Sequence, residues 1–316
     1  MRKAIGLSAL LTVLLLLCSC SAQPISDGKQ ISFTDSMNNA ISLENTPETV
    51  AVLFSSYAEI WNLAGGTVSV TVGESVERGF VPAETPLVDS GAGKTINVER
   101  LLAAQPDFVI GSADIDAQVE ACGLLQQAGV PAALFRVDTF SDYLSMLKIC
   151  TQITGNAQAY ETHGMAVKAR IDEILAAAQT QQSQQKDILF IRAGSQYSAT
   201  KAKRAPDHFV CIMLDELGAR NIADEATVLL DSLSLEEILL QDPDHIFLTI
   251  MGSEQAAIGY VGQLFSQDGW KDLTAVRQGN YTFLQKDLFH FKPNARWAEA
   301  YELLAKLLYP ELKLGE

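Results

Sequence analysis

VERLLAAQPDFV at 98–109 is answered 137 positions later by LEEILLQDPDHI at 235–246. Glu99, Leu102, Pro106 and Asp107 recur as Glu236, Leu239, Pro243 and Asp244, while Val98, Leu101 and Val109 keep apolar partners in Leu235, Ile238 and Ile246. Both copies spell helix, turn, strand. Proline disfavours helical geometry in the residue before it, which stops the helix, and the apolar run that follows suits a buried strand. Two lobes of one design, by duplication or convergence, are therefore expected.

Outward from these copies the chain alternates short β-rich runs with helical patterns. Strands are expected at Thr49 to Leu53, Val68 to Val72, Phe108 to Ile110 and Ala132 to Phe135. Helices fall between them near Tyr57 to Leu63, Val98 to Ala104 and Ala117 to Ala128, with another from Phe140 to Thr154. Residues 157–185 lack proline and predict one helix of about 25 residues, on the order of 40 Å long. Alternation then resumes with strands at Ile188 to Arg192, Ile246 to Ile250 and Tyr281 to Leu284. Helices are expected at Phe209 to Leu217, Leu235 to Leu240, Glu254 to Phe265 and Ala295 to Leu308. Such alternation with short connections marks α/β architecture with a mainly parallel sheet. The plan is a lobe at 31–156, a linker helix at 157–185 and a lobe at 186–316.

The 316 residues are 48% hydrophobic, enough for two cores, and 23 basic against 38 acidic residues leave a formal charge of −15. That charge repels a phosphate backbone, so nucleic acid is not an expected partner. The amino end reads as a targeting segment rather than as part of the fold. Arg2 and Lys3 precede an apolar run from Ala4 to Leu17, and Leu17, Cys18, Ser19 and Cys20 have the pattern of a bacterial lipobox. On that reading 1–19 is a signal peptide, Cys20 carries lipid, and 20–30 is a polar tether that holds the protein extracytoplasmically on the cell membrane. Removing Arg2 and Lys3 leaves 21 basic and 38 acidic residues, a net −17. Cys122, Cys150 and Cys211 remain as an odd set: three buried thiols, or a Cys122–Cys150 bridge with one thiol left over.

These residues bring a family into view. Glu59-Ile60-Trp61-Asn62-Leu63-Ala64-Gly65, the two Pro-Asp copies, Ile153-Thr154-Gly155, the run from Leu214 to Asn221 and that from Trp270 to Gly279 stand in an order and spacing that resemble the substrate-binding proteins of ABC importers for cobalamin, iron siderophores and haem. The resemblance is to the cluster A, class III type, and it spans nearly all of the mature chain. It implies two Rossmann-like lobes joined by one long rigid helix that close only slightly on binding. It also implies capture of a metal chelate in the cleft and delivery to an ABC permease and its ATPase. Glu99 and Glu236 match the glutamates that pair with permease arginines in that family, one on each lobe. Each also sits near a helix start, where a carboxylate is favoured without any partner.

Enzyme chemistry finds little support. The Gly91-Ala92-Gly93-Lys94-Thr95 string lacks the first glycine of a phosphate loop, since Val88 stands there, and no Gly-x-Ser-x-Gly or His-Glu-x-x-His motif occurs. The histidines at 163, 208, 245 and 290 are scattered, so no protein-held metal and no resident cofactor are expected; the metal arrives inside the chelate. Pockets in α/β lobes lie beyond the carboxyl ends of strands. Loops there nominate Tyr57, Tyr197, Arg204, His290 and Lys292 for ligand binding, with Ser55, Ser56, Arg78, Lys201 and Lys203 as further candidates. Phe289 and Phe291 are suited to stack on a flat ligand or to pack on the lobe. A monomer is expected. The competing readings are a sensory or adhesive surface lipoprotein on the same scaffold, and a surface enzyme acting on a tetrapyrrole.

Overall fold

A computed structural model describes residues 30–89, 95–181 and 185–315. The signal segment, Cys20 and the Gly91–Lys94 string lie outside the described residues. The first lobe opens with an antiparallel hairpin, β1 (Ile31–Thr34) and β2 (Ala40–Leu43). Asp35 at its turn accepts from the Met37 and Asn39 amides and, through its other oxygen, from Leu134 N, which ties the hairpin to the sheet. Then follow β3 (Val50–Val52), α1 (Ser55–Leu63), β4 (Val70–Thr71), α2 (Gly73–Glu77), α3 (Val98–Ala103), β5 (Phe108–Ser112), α4 (Asp116–Gln127), β6 (Ala132–Phe135) and α5 (Phe140–Thr154). The four-stranded sheet runs β4-β3-β5-β6, parallel throughout. All five residues of β5 are buried, as expected for a central strand covered by helices on both faces.

The linker comprises α6 (Ala157–Tyr160), a π-helical turn (Glu161–Met165) and α7 (Ala166–Gln179). Helix therefore ends earlier than the expected residue 185, and its ladder is interrupted. The Tyr143 hydroxyl donates to His163 O at 2.9 Å, satisfying a carbonyl within the widened turn, and Gly164 is buried there. A Cβ on Gly164 would stand 2.9 Å from Leu144 Cδ2, so a larger residue there would require that leucine to shift.

The second lobe contains β7 (Asp187–Ala193), β8 (Lys201–Ala202), α8 (Phe209–Glu216), β9 (Arg220–Asn221), α9 (Val228–Asp231), α10 (Leu235–Gln241), β10 (His245–Ile250), α11 (Glu254–Phe265), α12 (Thr274–Gln278), β11 (Tyr281–Phe283), α13 (Lys286–Phe289) and α14 (Trp297–Leu308). Strands β9, β7, β10 and β11 run parallel in the order that β4, β3, β5 and β6 take in the first lobe, and β8 adds antiparallel to β7.

The internal repeat extends to backbone detail. Asn97 and Ser234 each cap their helix, accepting from Arg100 N and Glu237 N. Gln105 and Asp242 each take left-handed geometry, with φ of 49° and 41°, at the residue before the proline. The Asp107 carboxylate then accepts from Glu48 N and Thr49 N, and that of Asp244 from Asp187 N, lacing each helix end to the strand beside it. The aspartates of the two copies thus have one task, to satisfy backbone donors at a strand entrance.

One apolar cluster runs through both lobes. Trp297, fully buried, meets Phe140 of the first lobe edge-on at 6.2 Å and Phe209 of the second at 5.6 Å. Beside it, Asn294 Nδ2 donates to Ser56 O at 2.8 Å and to Glu59 Oε2 at 2.7 Å across the seam. Because the core is continuous, urea should unfold the chain in one transition seen alike by circular dichroism and fluorescence. Trp297→Ala should cost about 3–5 kcal/mol and split the transition, as deletion of a buried aromatic leaves a cavity at the seam. Trp297→Phe should do far less, since Trp297 Nε1 has no hydrogen-bond partner to lose.

Candidate functional site

The carboxyl ends of both parallel sheets face each other across the seam, and cations gather there. Arg78, which ends α2, donates from Nη1 to Ser55 Oγ at 3.1 Å and Ser56 Oγ at 3.0 Å. Its guanidinium carbon lies 4.5 Å from the Phe80 ring and 4.0 Å from the Phe291 ring of the other lobe, and Glu59 approaches to 4.0 Å. Burial lowers its pKa while the Glu59 and Glu74 carboxylates oppose that shift, and Glu59 is in turn pushed up by burial against the Asn294 hydrogen bond. Ser55 also donates to Glu74.

Lys292 bridges the lobes, its Nζ 3.2 Å from Asp138 of the first lobe and 4.9 Å from the Phe209 ring. Cavities open on both sides of it. One, about 340 Å³, is lined by Asp138, Asp207, His208, Phe209, His290 and Lys292. The other, about 420 Å³, is lined by Glu59, Glu77, Arg78, Phe80, Asp287 and Arg296, with Lys292 again between. Each is at the low end of ligand-pocket volumes, roughly 300–1,000 Å³. A larger cavity of about 650 Å³ beside Lys148 and Tyr160 includes Thr46, at the amino end of β3, where α/β sheets do not present ligand loops.

Arg192 and Lys203 complete the cationic set. Burial, then Lys292, Arg192, His290 and Lys203, oppose protonation of His208. Burial, then Lys286, Arg192 and Arg78, do the same at His290, with Glu74 the one carboxylate acting the other way. His208 is held neutral at the start of α8, where its Nδ1 accepts from Val210 N at 3.3 Å and its ring stacks on Phe209.

Of the residues nominated from sequence, Arg78, His290 and Lys292 come together here. Tyr57 does not: it is 1% exposed, its hydroxyl donates to Phe135 O at 3.0 Å, and burial pushes the phenol far up, so it is a core residue of the first lobe. Tyr197 is 50% exposed and lines neither cavity. Arg204 stands at the rim, 3.3 Å from Asp207, which lines the smaller cavity. The Lys201 ammonium is held by Asp231 O. Phe289 is buried in the core, whereas Phe291 stacks on Arg78. Glu99 and Glu236 are exposed on the first turns of α3 and α10. Asp138, His208 and Arg192 escaped sequence reasoning. The end of β6, three residues before Asp138, was the available signal for the first.

Two α/β lobes with a polar cleft beyond their strand ends define a two-lobed solute-binding protein. The chain belongs to the periplasmic binding protein family, whose model matches residues 50–288. It is similar to an ABC transporter substrate-binding lipoprotein of Bacillus subtilis, YvrC, at 24% identity over 98% of this chain and 99% of that one. A cobalamin-binding protein of Halobacterium salinarum is 27% identical over 84% of this chain and 73% of that protein. Among solved structures, the siderophore-binding protein BauB, bound to acinetobactin and ferric iron, shares the fold with a TM-score of 0.70 at 13% identity, covering 90% of this chain and all of that one.

Because the His208 pKa is pushed down to about 3, folding should lose stability as pH falls from about 6.5 toward that value, the unfolded chain binding the extra proton. His245, pushed down to about 4 by burial, acts with the same sign. His208→Asn keeps a short acceptor for the Val210 amide and cannot titrate. Urea midpoints between pH 7 and 4.5 should therefore fall less steeply in this variant than in the wild type.

Proposed function

We propose that the chain is an extracytoplasmic receptor that binds an anionic metal chelate between lobes 31–156 and 186–316 and hands it to an ABC permease. The observation that carries this reading is that Arg78 and Lys292 line the cleft, Lys286 lies over the Phe291 ring, and Arg192 and Lys203 stand near enough to His208 or His290 to oppose their protonation, in a chain of net charge −15. In the free protein Arg78 faces Glu59 and Lys292 faces Asp138, so an incoming anion would exchange with these carboxylates, and the planar guanidinium fork of an arginine suits the carboxylates or other oxyanions that iron chelators present. Rings at Phe80, Phe209 and Phe291 supply the apolar wall. The lipobox at Cys20, together with the lipoprotein name of the Bacillus relative, supports attachment to the membrane through lipid. Exposed Glu99 and Glu236, set at equivalent places on the two lobes, are the proposed grips for a two-fold permease.

Native mass spectrometry and absorbance of residues 24–316 after exposure to anionic ferric siderophores, haem and cobalamin should find one anionic ferric complex retained at a ratio of one. Retention of none, or of neutral cobalamin alone, would contradict the proposal. The double variant Glu99→Lys with Glu236→Lys should bind the retained chelate within about twofold of wild type and abolish its uptake by cells, since it sets cation against cation at docking. Normal uptake would remove the docking role, and lost affinity would place these glutamates in the lobes' own packing.

A further inference from the structure

Two buried polar atoms without hydrogen-bond partners stand side by side in the second sheet. Arg192 on β7 and Thr249 on β10 are register partners, so their side chains leave the same face of the sheet. That face also carries Phe190 and Phe247, both in the cluster that reaches across the seam. Thr249 is 2% exposed and its Oγ1 has no partner; Arg192 Nε is likewise buried and unpartnered. No ion pair among the described residues engages Arg192. A buried hydroxyl or guanidinium nitrogen left unpaired is costly, and folded chains rarely keep one without reason. Here both belong to residues next to the last of their strands, where α/β sheets bind ligands, and Arg192 lies near enough to His208 and His290 for its charge to oppose their protonation. The carboxylate acting on His290, Glu74, is engaged by Ser55.

We propose that Arg192 and Thr249, which line neither cavity of the free protein, form an oxyanion subsite beneath the cleft on the second lobe. Arg192 donates N–H groups and Thr249 its hydroxyl to one carboxylate, or another oxyanion, of the bound molecule. The inference rests on the cleft being the ligand site, but it does not require the ligand to contain metal. It places the deepest specificity contact on strand ends rather than on the rim loop that carries Arg204.

Citrate and inorganic phosphate are suitable probes, read by thermal shift and titration calorimetry on residues 24–316. Citrate should raise the melting temperature of the wild type. Thr249→Val replaces an idle hydroxyl by a methyl group, and Arg192→Met keeps the apolar stem without the charge. Without anion, both variants should melt no lower than wild type, because neither loses a hydrogen bond made in the free protein. With citrate, both should bind at least about tenfold more weakly, as expected for loss of a charge-assisted contact, while Thr249→Ser should restore most of the affinity. Unchanged citrate affinity in Thr249→Val and Arg192→Met would overturn the subsite. So would failure of citrate and phosphate to stabilise the wild type, or a lower melting temperature of both variants without anion, which would mark the pair as structural. Citrate binding lost in the variants while no chelate of the wider panel is retained would uphold the subsite and remove the metal cargo. A chelate retained equally by wild type and both variants would do the reverse.

Discussion

The position of everything that faces the cleft depends on how Trp297 is wedged between Phe140 and Phe209. Those rings come from opposite lobes, and the tryptophan that joins them opens α14, the helix that packs along the linker. Asn294, three residues earlier, adds a polar lock to Ser56 and Glu59 while holding left-handed backbone at φ 52°. A strained, fully buried asparagine is tolerated because its amide satisfies two acceptors that would otherwise be stranded at the seam. Apolar burial on one side and a charged cleft on the other thus share one seam, packed through Trp297 and locked by Asn294.

The seam sets cations against carboxylates: Arg78, Lys292 and Arg296 share the linings of its two cavities with Glu59, Glu77, Asp138, Asp207 and Asp287. Arg78 is the hub, held by two serine hydroxyls and sandwiched by Phe80 and Phe291, so its planar face is spent on rings and its edge on hydroxyls. Lys292 spans the lobes to Asp138 and divides the space into two cavities. Asp138 is half-exposed while the lysine is mostly buried, so an anion that takes the lysine competes with this carboxylate. Neutral His208 and His290 lie beside this charge without adding to it at neutral pH.

Much of the architecture was legible because the two Pro-Asp copies carry their structural reason in their residue types: a helix stop, a carboxylate for strand-entrance amides and a buried strand. The left-handed turns at Gln105 and Asp242 were not legible, since neither residue is the glycine that usually marks such geometry. The π turn in the linker answers a hydroxyl from Tyr143, twenty residues away, which no local pattern records. At the site, cationic residues could be read as candidates but their direction could not. Tyr57 lies at the start of a helix whose buried face includes it, and a tyrosine there looks the same whether it faces a ligand or the Phe135 carbonyl. Arg192 was hidden by being counted as the end of an apolar strand, and whether Thr249 has a partner is a property of the packed molecule alone.

The central claim is that charge selects the cargo. It is tested most directly by calorimetric titration of the soluble chain with two chelates of the same metal and similar size, one carrying carboxylates and the other its neutral amide, across a range of sodium chloride concentrations. The account predicts that the anionic chelate binds, that its affinity weakens as salt rises, and that the neutral one is taken up at least about a hundredfold more weakly, as expected where buried donors would be left without acceptors. Equal affinity for the two, unmoved by salt, would contradict it.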